Sequence, residues 1–389
     1  MTNLALIDSY FEELCTIRHD IHAHPEIGFE ETRTASLVAR LLGEYGVDEV
    51  HTGIGGTGVV GLVHGSLGPG GRVGLRADMD ALPMDEGTGL SFTSRNPGRF
   101  HGCGHDGHTT ILLGAARYLA ETRNFAGTAV LVFQPAEEGL GGARRMIAEG
   151  LFERFPMDEI YGMHNSPQHA EGEVAIFPGA AMAGADFFDI TVKGRGSHGA
   201  APHHSRDPVI VCGALIQALQ SIVSRNVNPF EPAVLSITQV HAGSAYNVIP
   251  QTATLAGTVR MFSDAVRTQM RERMQAVVAG VAATFDVQID IDIRDIFTVL
   301  DNAEGPAREL EAVAREIVGD AKVNTTVKPV TGSEDFADML KQVPGAYCRV
   351  GHSGNVPLHN PAFVLGDEIL PLGASLFARI VERRLAPRA

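Results

Sequence analysis

The sequence predicts an α/β protein: a mixed, largely parallel sheet flanked by helices and interrupted by an inserted ferredoxin-like α+β segment. Three observations lead there. At 389 residues the chain exceeds one ordinary core, so two domains are expected. Between residues 59 and 163 short apolar runs alternate with helical periodicity, the pattern of strands joined by crossover helices. From about residue 182 the order becomes β-α-β-β-α-β, the ferredoxin-like succession. The expected partition is 1–181 with 295–389 as one domain and 182–294 as the insertion.

The elements follow in chain order. Leu4 to Ile21 carries Leu4, Ile7, Phe11, Leu14 and Ile17 three or four apart, an amphipathic helix. Thr32 to Tyr45 repeats the pattern until Gly46 stops it. Val59 to Val63 and Arg72 to Leu75 read as buried strands around a glycine-rich turn. Thr109 to Thr122 is a helix with Ile111, Leu112, Ala115, Ala116 and Leu119 on its apolar face. Ala129 to Phe133 is a strand, Ala143 to Ala148 a helix, and Glu159 to Met163 another strand. In the insertion, Asp186 to Val192, Ala233 to Val240 and Thr252 to Met261 are strands, and Asp207 to Val223 is a helix. Ser263 caps a second helix reaching Phe285, and Val287 to Ile293 alternates strictly, as half-buried strands do. Beyond it lie helices over Pro306 to Val318 and Ser333 to Val343, the latter with a capping box from Thr331 and Glu334. A strand from Ala346 to Val350 and a closing helix from about Leu370 to Arg384 end the chain.

Composition narrows the function classes. A hydrophobic share of 44% with 20% charged residues is that of a soluble globular protein. No run approaches ~20 consecutive apolar residues, so no membrane span is expected. The opening Met1 to Ser9 lacks a basic segment followed by an apolar core, so no secretory leader is read. Cys15, Cys103, Cys212 and Cys348 are scattered, which suits free thiols in a reducing cytoplasm. A net charge of −15 argues against nucleic acid as a partner, while small organic anions stay open.

The stretch Phe100-His-Gly-Cys-Gly-His-Asp-Gly-His108 concentrates imidazole, thiol and carboxylate, the donors of borderline transition metals. Its glycines let the backbone turn so that Cys103 and His105 aim at one point. A single histidine there is more often structural; the cluster as a whole points to metal. Further donors stand just past apolar strands, where ligands bind in parallel sheets: Asp78, Asp80, Glu137, Glu138 and His164. His359 lies in a late glycine-flanked loop. Cys103, His105, Glu138, His164 and His359 exceed the needs of one ion and suit two ions about 3.5–4 Å apart. Of the adjacent Glu137 and Glu138, one can bind metal while the other acts as general base on water; residue types alone do not assign them.

Seven spaced motifs then carry a resemblance. His101-Gly-Cys-Gly-His-Asp-Gly-His108, Gln134-Pro-Ala-Glu-Glu-Gly139, Gly162-Met-His-Asn165, Gly194-Arg-Gly-Ser-His-Gly-Ala200, Asn247-Val-Ile-Pro250, Gly332-Ser-Glu-Asp-Phe336 and Leu358-His-Asn-Pro361 follow one another along the chain. Together they resemble the amidohydrolase branch of the aminoacylase/carboxypeptidase metallopeptidases, which includes hippurate hydrolases and plant auxin-conjugate hydrolases. The resemblance implies a dinuclear exopeptidase-like fold with an inserted lid and dimerisation domain. It implies Cys103 as bridging ligand, His105 and His164 on one metal, Glu138 and His359 on the other, and Glu137 as base. It further implies that His198 reaches the partner subunit's active site to steady an oxyanion, and that Asn247 and Arg260 hold the substrate carboxylate.

One departure stands out. Where the wider clan has a His-x-Asp metal motif, this chain has Asp78-Met-Asp80, so both aspartates are assigned to orienting ligands, with direct ligation open. The donor set suits zinc, manganese, cobalt or nickel. The expected protein is thus a cytoplasmic homodimer with two divalent ions per subunit, cleaving N-acyl-L-amino acids. Its rivals are a dipeptidase or carboxypeptidase on the same scaffold, a hydrolase using Cys103 as nucleophile, and a non-catalytic binding protein with structural metals.

Overall fold

A computed structural model describes residues 4–387. Residues 1–3, the start of the segment read for a secretory leader, and 388–389, at the end of the expected first domain, lie outside it. The chain forms two compact units. One comprises residues 1–181, 301–328 and 335–389; the other comprises 182–300 and 329–334. The expected insertion of 182–294 therefore differs from the observed second unit, which runs to Leu300 and takes in Pro329–Glu334. The reason is local pairing: Ala183 N–H donates to Val330 O and to Gly332 O at 3.1 and 3.0 Å.

The first unit is built on an eight-stranded sheet. From edge to edge the strands are Glu49–Ile54, Gly58–His64, Thr128–Gln134, Arg72–Asp78, Glu159–Ser166, Gly345–Gly351, Val174–Ala175 and Val323–Asn324. The four central strands are mutually parallel, and antiparallel pairs lie to either side. This is the mixed, largely parallel sheet expected. Its inner strands are buried throughout because helices cover both faces, as in Thr128–Gln134, where every residue is buried. The helix His105–Thr122 supplies Ile111, Leu112, Leu113, Ala115, Ala116 and Leu119 to the core, all at 0% exposure. All four parallel strands end on one edge of the sheet, at Asp78, Gln134, Ser166 and Gly351. That edge carries the candidate site.

The second unit has the chain order β-α-β-β-α-β. Its four antiparallel strands lie in the order Ala233–Ala242, Thr252–Met261, Gly184–Lys193, Gln288–Phe297. Alternate residues Phe188, Ile190 and Val192 face a core shared with the helices Pro208–Arg225 and Asp264–Phe285. Asp207 and Ser263 cap those helices, accepting from Val209 N at 2.9 Å and Val266 N at 3.2 Å.

Two expectations need correction, one strand is unassigned by the sequence, and one helix is apolar for a reason the fold supplies. The first helix is split into Ala5–Asp8 and Phe11–Ala23, where the Ser9 hydroxyl donates back to Leu6 O at 2.6 Å. The edge strand Glu49–Ile54 is half exposed and carries little apolar alternation, so local pattern does not mark it. The helix over Ser333 to Val343 shrinks to Phe336–Leu340 without a side-chain cap, since Gly332 is tied to Ala183 and Asp335 to a buried ion network. Finally, Pro208–Arg225 has the length and apolarity of a membrane span. Its face of Val211, Cys212, Leu215, Leu219 and Ile222 is core in the second unit.

The packing can be tested by urea unfolding. Leu112→Ala is expected to destabilise by about 2–5 kcal/mol, the cost of a core cavity. Ile210→Ala, at a side chain 60% exposed, is expected to move the midpoint little.

Candidate metal centre

The loop from Phe100 to Gly104 is fixed at its start by reciprocal backbone bonds between Phe100 and Leu82, at 2.9 and 3.0 Å. At its end Gly104 takes φ +90°, and a Cβ there would fall 2.3 Å from Asn165 Nδ2, so only glycine fits. The same Asn165 amide donates to Cys103 O at 2.6 Å. The loop thus presents Cys103 Sγ, and the helix that follows begins on His105.

Strand ends and two left-handed corners bring in the remaining donors. Ala136, at φ +54°, turns the chain out of Thr128–Gln134 so that Glu137 and Glu138 follow at the sheet edge. His359, at φ +62°, is held by its own N–H to Gly102 O at 2.9 Å. Positive φ at non-glycine residues is costly and gathers at functional sites.

The result is two triads that share one atom. Cys103, His105 and His164 form one; Cys103, Glu138 and His359 form the other, with donor atoms within 4.8 Å of one another in each. His164 Nε2 and His359 Nε2 each lie 3.4 Å from Cys103 Sγ, and His359 Nε2 lies 3.2 Å from Glu138 Oε1. His105 Nε2 and Glu138 Oε1 stand 3.9 Å apart, and His105 Nε2 is buried without a hydrogen-bond partner. Buried polar atoms are nearly always satisfied, so this orphaned imidazole nitrogen fits a bound cation. Glu137 completes a further group with His105 and Glu138. Its carboxylate accepts from Asp335 N at 3.4 Å.

Hydrogen bonds fix which nitrogens face the cavity. His164 Nδ1 donates to Asn165 O at 2.7 Å, leaving the Nε2 lone pair toward Cys103. His105 Nδ1 is held by Asp80 Oδ1 at 3.2 Å, so its Nε2 is the group presented. His108 has both nitrogens engaged: Nδ1 with Asp78 Oδ1 at 2.6 Å, and Nε2 accepting from Asn165 N at 3.0 Å. That leaves His108 as a support rather than a donor to metal. Asp80 also accepts from Glu138 N at 3.0 Å, and Asp78 from Arg76 Nη1 at 2.7 Å.

The electrostatics ask for positive charge. Burial pulls the His105 pKa down, but Asp78, Asp80 and Glu138 outweigh it and raise it to about 10. Burial, then Glu138, Glu137 and Asp78, push the Cys103 thiol well above its usual range. Burial would raise Asp78, yet His105, Arg76 and His108 hold it well below the ordinary carboxylate value.

Of the other expected site residues, His198 and Asn247 come together in the second unit. His198 pairs with Val248 across a short antiparallel bridge, and Gly199 N donates to Asn247 O at 2.8 Å. Both are exposed. Arg260 is not with them. The bridge adjoins the Thr252 end of Thr252–Met261, through Gly194 N to Gln251 O at 2.9 Å, whereas Arg260 is one residue from the other end, roughly 27 Å along the strand. Sequence reasoning missed Arg76, Asn165 and Asp335 as site residues. Arg76 is wholly buried, reaching Gln134 Oε1 at 2.8 Å and Asp335 Oδ1 at 3.2 Å besides Asp78. A lone arginine inside an otherwise apolar strand was the available signal.

A mixed, largely parallel sheet with a thiol, imidazole and carboxylate cluster at the carboxyl ends of its parallel strands has the donor set and placement of a metal-dependent hydrolase. The comparisons narrow the class: residues 74–383 match the model for peptidase family M20/M25/M40, and the chain belongs to that family, in its amidohydrolase branch. It is 42% identical over 369 residues to the hippurate hydrolase of Campylobacter jejuni, covering 95% of this chain and 96% of that one. An N-acetyl-L-cysteine deacetylase of Bacillus subtilis is 38% identical, covering 96% and 88%. The crystal structure of a B. subtilis dinuclear metal binding peptidase from the M20 family superposes with TM-score 0.86 at 32% identity, covering 97% and 99%.

Cation binding at His105 Nε2 and Cys103 Sγ must release the protons those groups hold. Zinc affinity is therefore expected to rise with pH, roughly tenfold per pH unit for each proton released. Competition against a chromophoric chelator between pH 6 and 8 measures this, and a flat profile would contradict the assignment.

Proposed function

We propose that the chain hydrolyses N-acyl-L-amino acids of the hippurate type to a carboxylic acid and a free amino acid. The observation that carries this reading is the pair of triads sharing Cys103, with Glu137 beside them. Relatives that are a hippurate hydrolase and an N-acetyl-L-cysteine deacetylase support the substrate class.

In this reading two divalent cations would be held by Cys103, His105 and His164 and by Cys103, Glu138 and His359. Zinc, manganese, cobalt and nickel all suit the donors. When bound, such cations polarise an amide carbonyl and lower the pKa of water. Glu137 takes a proton from the attacking water and delivers it to the leaving nitrogen as the C–N bond breaks. Asp80 aims His105 through Nδ1 and Glu138 through its backbone N–H, and Asp78 does the same for His108. The partner subunit's His198 hydrogen-bonds the carbonyl oxygen as it gains charge. Asn247 and Arg260 hold substrate carboxylate. Because roughly 27 Å of strand separates them in one chain, in this reading they come from different subunits of a homodimer.

Two observations support the homodimer and the placement. Ala233–Ala242 is a sheet edge with Val234 and Val240 42% and 48% exposed, the kind of edge a second copy covers. Cys15, Cys103, Cys212 and Cys348 are all free thiols, in keeping with the cytoplasm. The nucleophilic-cysteine reading is disfavoured because burial, and then the carboxylates around Cys103, raise its pKa, whereas a reactive thiol needs cationic surroundings.

Glu137→Gln is expected to keep its metal content and lose at least ~100-fold in kcat on hippurate. Near-normal kcat would remove Glu137 as base, and a preference for free dipeptides over hippurate would favour the peptidase reading. EDTA is expected to abolish turnover, whereas a thiol hydrolase would survive it.

Mixing His198→Ala with Glu137→Gln protomers tests the shared site. Hybrid dimers are expected to regain part of the wild-type activity; hybrids that form without recovery would refute it.

A further inference from the structure

Glu31 has no place in the chemistry above, yet its side chain is as buried as the core, at 0% exposure. One carboxylate oxygen accepts the Ala136 N–H at 2.8 Å, and the other accepts the Thr57 hydroxyl at 2.5 Å. Ala136 is the left-handed corner from which Glu137 and Glu138 depart. Each of its groups is held by a different segment. Its N–H goes to Glu31, its carbonyl accepts from Gly142 N at 3.0 Å, and a Cβ on Gly28 would fall 2.9 Å from its Cα. An alanine keeps such a conformation only where its surroundings impose it. A buried amide N–H also needs its acceptor.

We infer that Glu31 is a positioning residue: its carboxylate holds the Ala136 corner and so sets the directions in which Glu137 and Glu138 enter the metal centre. The inference rests on the reading of Glu138 as a ligand and Glu137 as the base. Without the Glu31 carboxylate the corner relaxes toward ordinary backbone angles, and both glutamates move together. Burial, with Asp80 nearby, raises the Glu31 pKa.

Four variants of the full-length protein test this, read by zinc affinity in chelator competition and by kcat and KM on hippurate. Glu31→Ala is expected to lose about tenfold or more in both zinc affinity and kcat with little change in KM. Glu31→Gln, whose amide oxygen still accepts from Ala136, is expected to recover most of both. Adding Ala136→Gly to Glu31→Ala is expected to recover part, because glycine adopts the corner unaided. Thr57→Val, which frees the other carboxylate oxygen, is expected to show a smaller loss of the same kind and serves if Glu31→Ala does not fold. Wild-type zinc affinity in Glu31→Ala, or in Thr57→Val where that substitutes for it, would overturn the inference. So would a zinc deficit that neither Glu31→Gln nor Ala136→Gly relieves. If the zinc pattern holds while no variant or wild type cleaves hippurate, the substrate assignment falls and the positioning role stands.

Discussion

Too many carboxylates meet in one buried place. Asp78, Asp80, Glu137 and Glu138 converge on one cluster of buried and half-buried side chains, and like charges so placed repel unless positive charge stands among them. The protein answers part of this itself. Arg76, buried to the last atom, neutralises Asp78 and Asp335 from behind, and His108 bonds the other Asp78 oxygen. The remainder is left facing His105 Nε2 and Cys103 Sγ, where protons or cations must supply the balance. Much of the local architecture follows from that demand. Strand ends, a glycine turn and two left-handed corners are all spent on bringing anionic and neutral donors to the same few ångströms.

The fold was legible where periodicity is strong. Parallel strands buried on both faces read as continuous apolar runs, and Thr128–Gln134 or Glu159–Ser166 could not be mistaken. The insertion was legible through alternation, most clearly in Gln288–Phe297, where exposed Gln288, Asp290 and Asp292 interleave with half-buried isoleucines. What failed was whatever depended on distant partners. The segment around Thr331 reads as a helix start by local rules, but Gly332 is claimed by Ala183 and Asp335 by Arg76. Tertiary pairing outranked a local cap worth about 1 kcal/mol.

The site divides in the same way. Residues of metal-donor type announce themselves by clustering, and Cys103, His105, Glu138, His164 and His359, named from the sequence, fall into two candidate groups. The residues that aim them were not. Asn165 works through one amide that touches both the Cys103 carbonyl and His108. Glu31 stands beside Glu30 in the sequence, chemically identical to it, and nothing but burial separates the two. One sequence read by itself carries no mark of which of two adjacent acids turns inward.

The split course of the first unit has a consequence for biogenesis. Gly345–Gly351 is an inner strand of the main sheet, paired along Glu159–Ser166, and His359 follows it, yet both are encoded after the whole of the second unit. A ribosome therefore extrudes the nascent thiol and its helix long before their last companions exist. Until some nine-tenths of the polypeptide has emerged, Cys103 has no His359 and Glu159–Ser166 no neighbour on one side. The second unit, contiguous apart from six residues, needs no such wait. The group of Cys103, Glu138 and His359 is thereby closed only after the second unit has been made, whereas Cys103, His105 and His164 have all emerged before it.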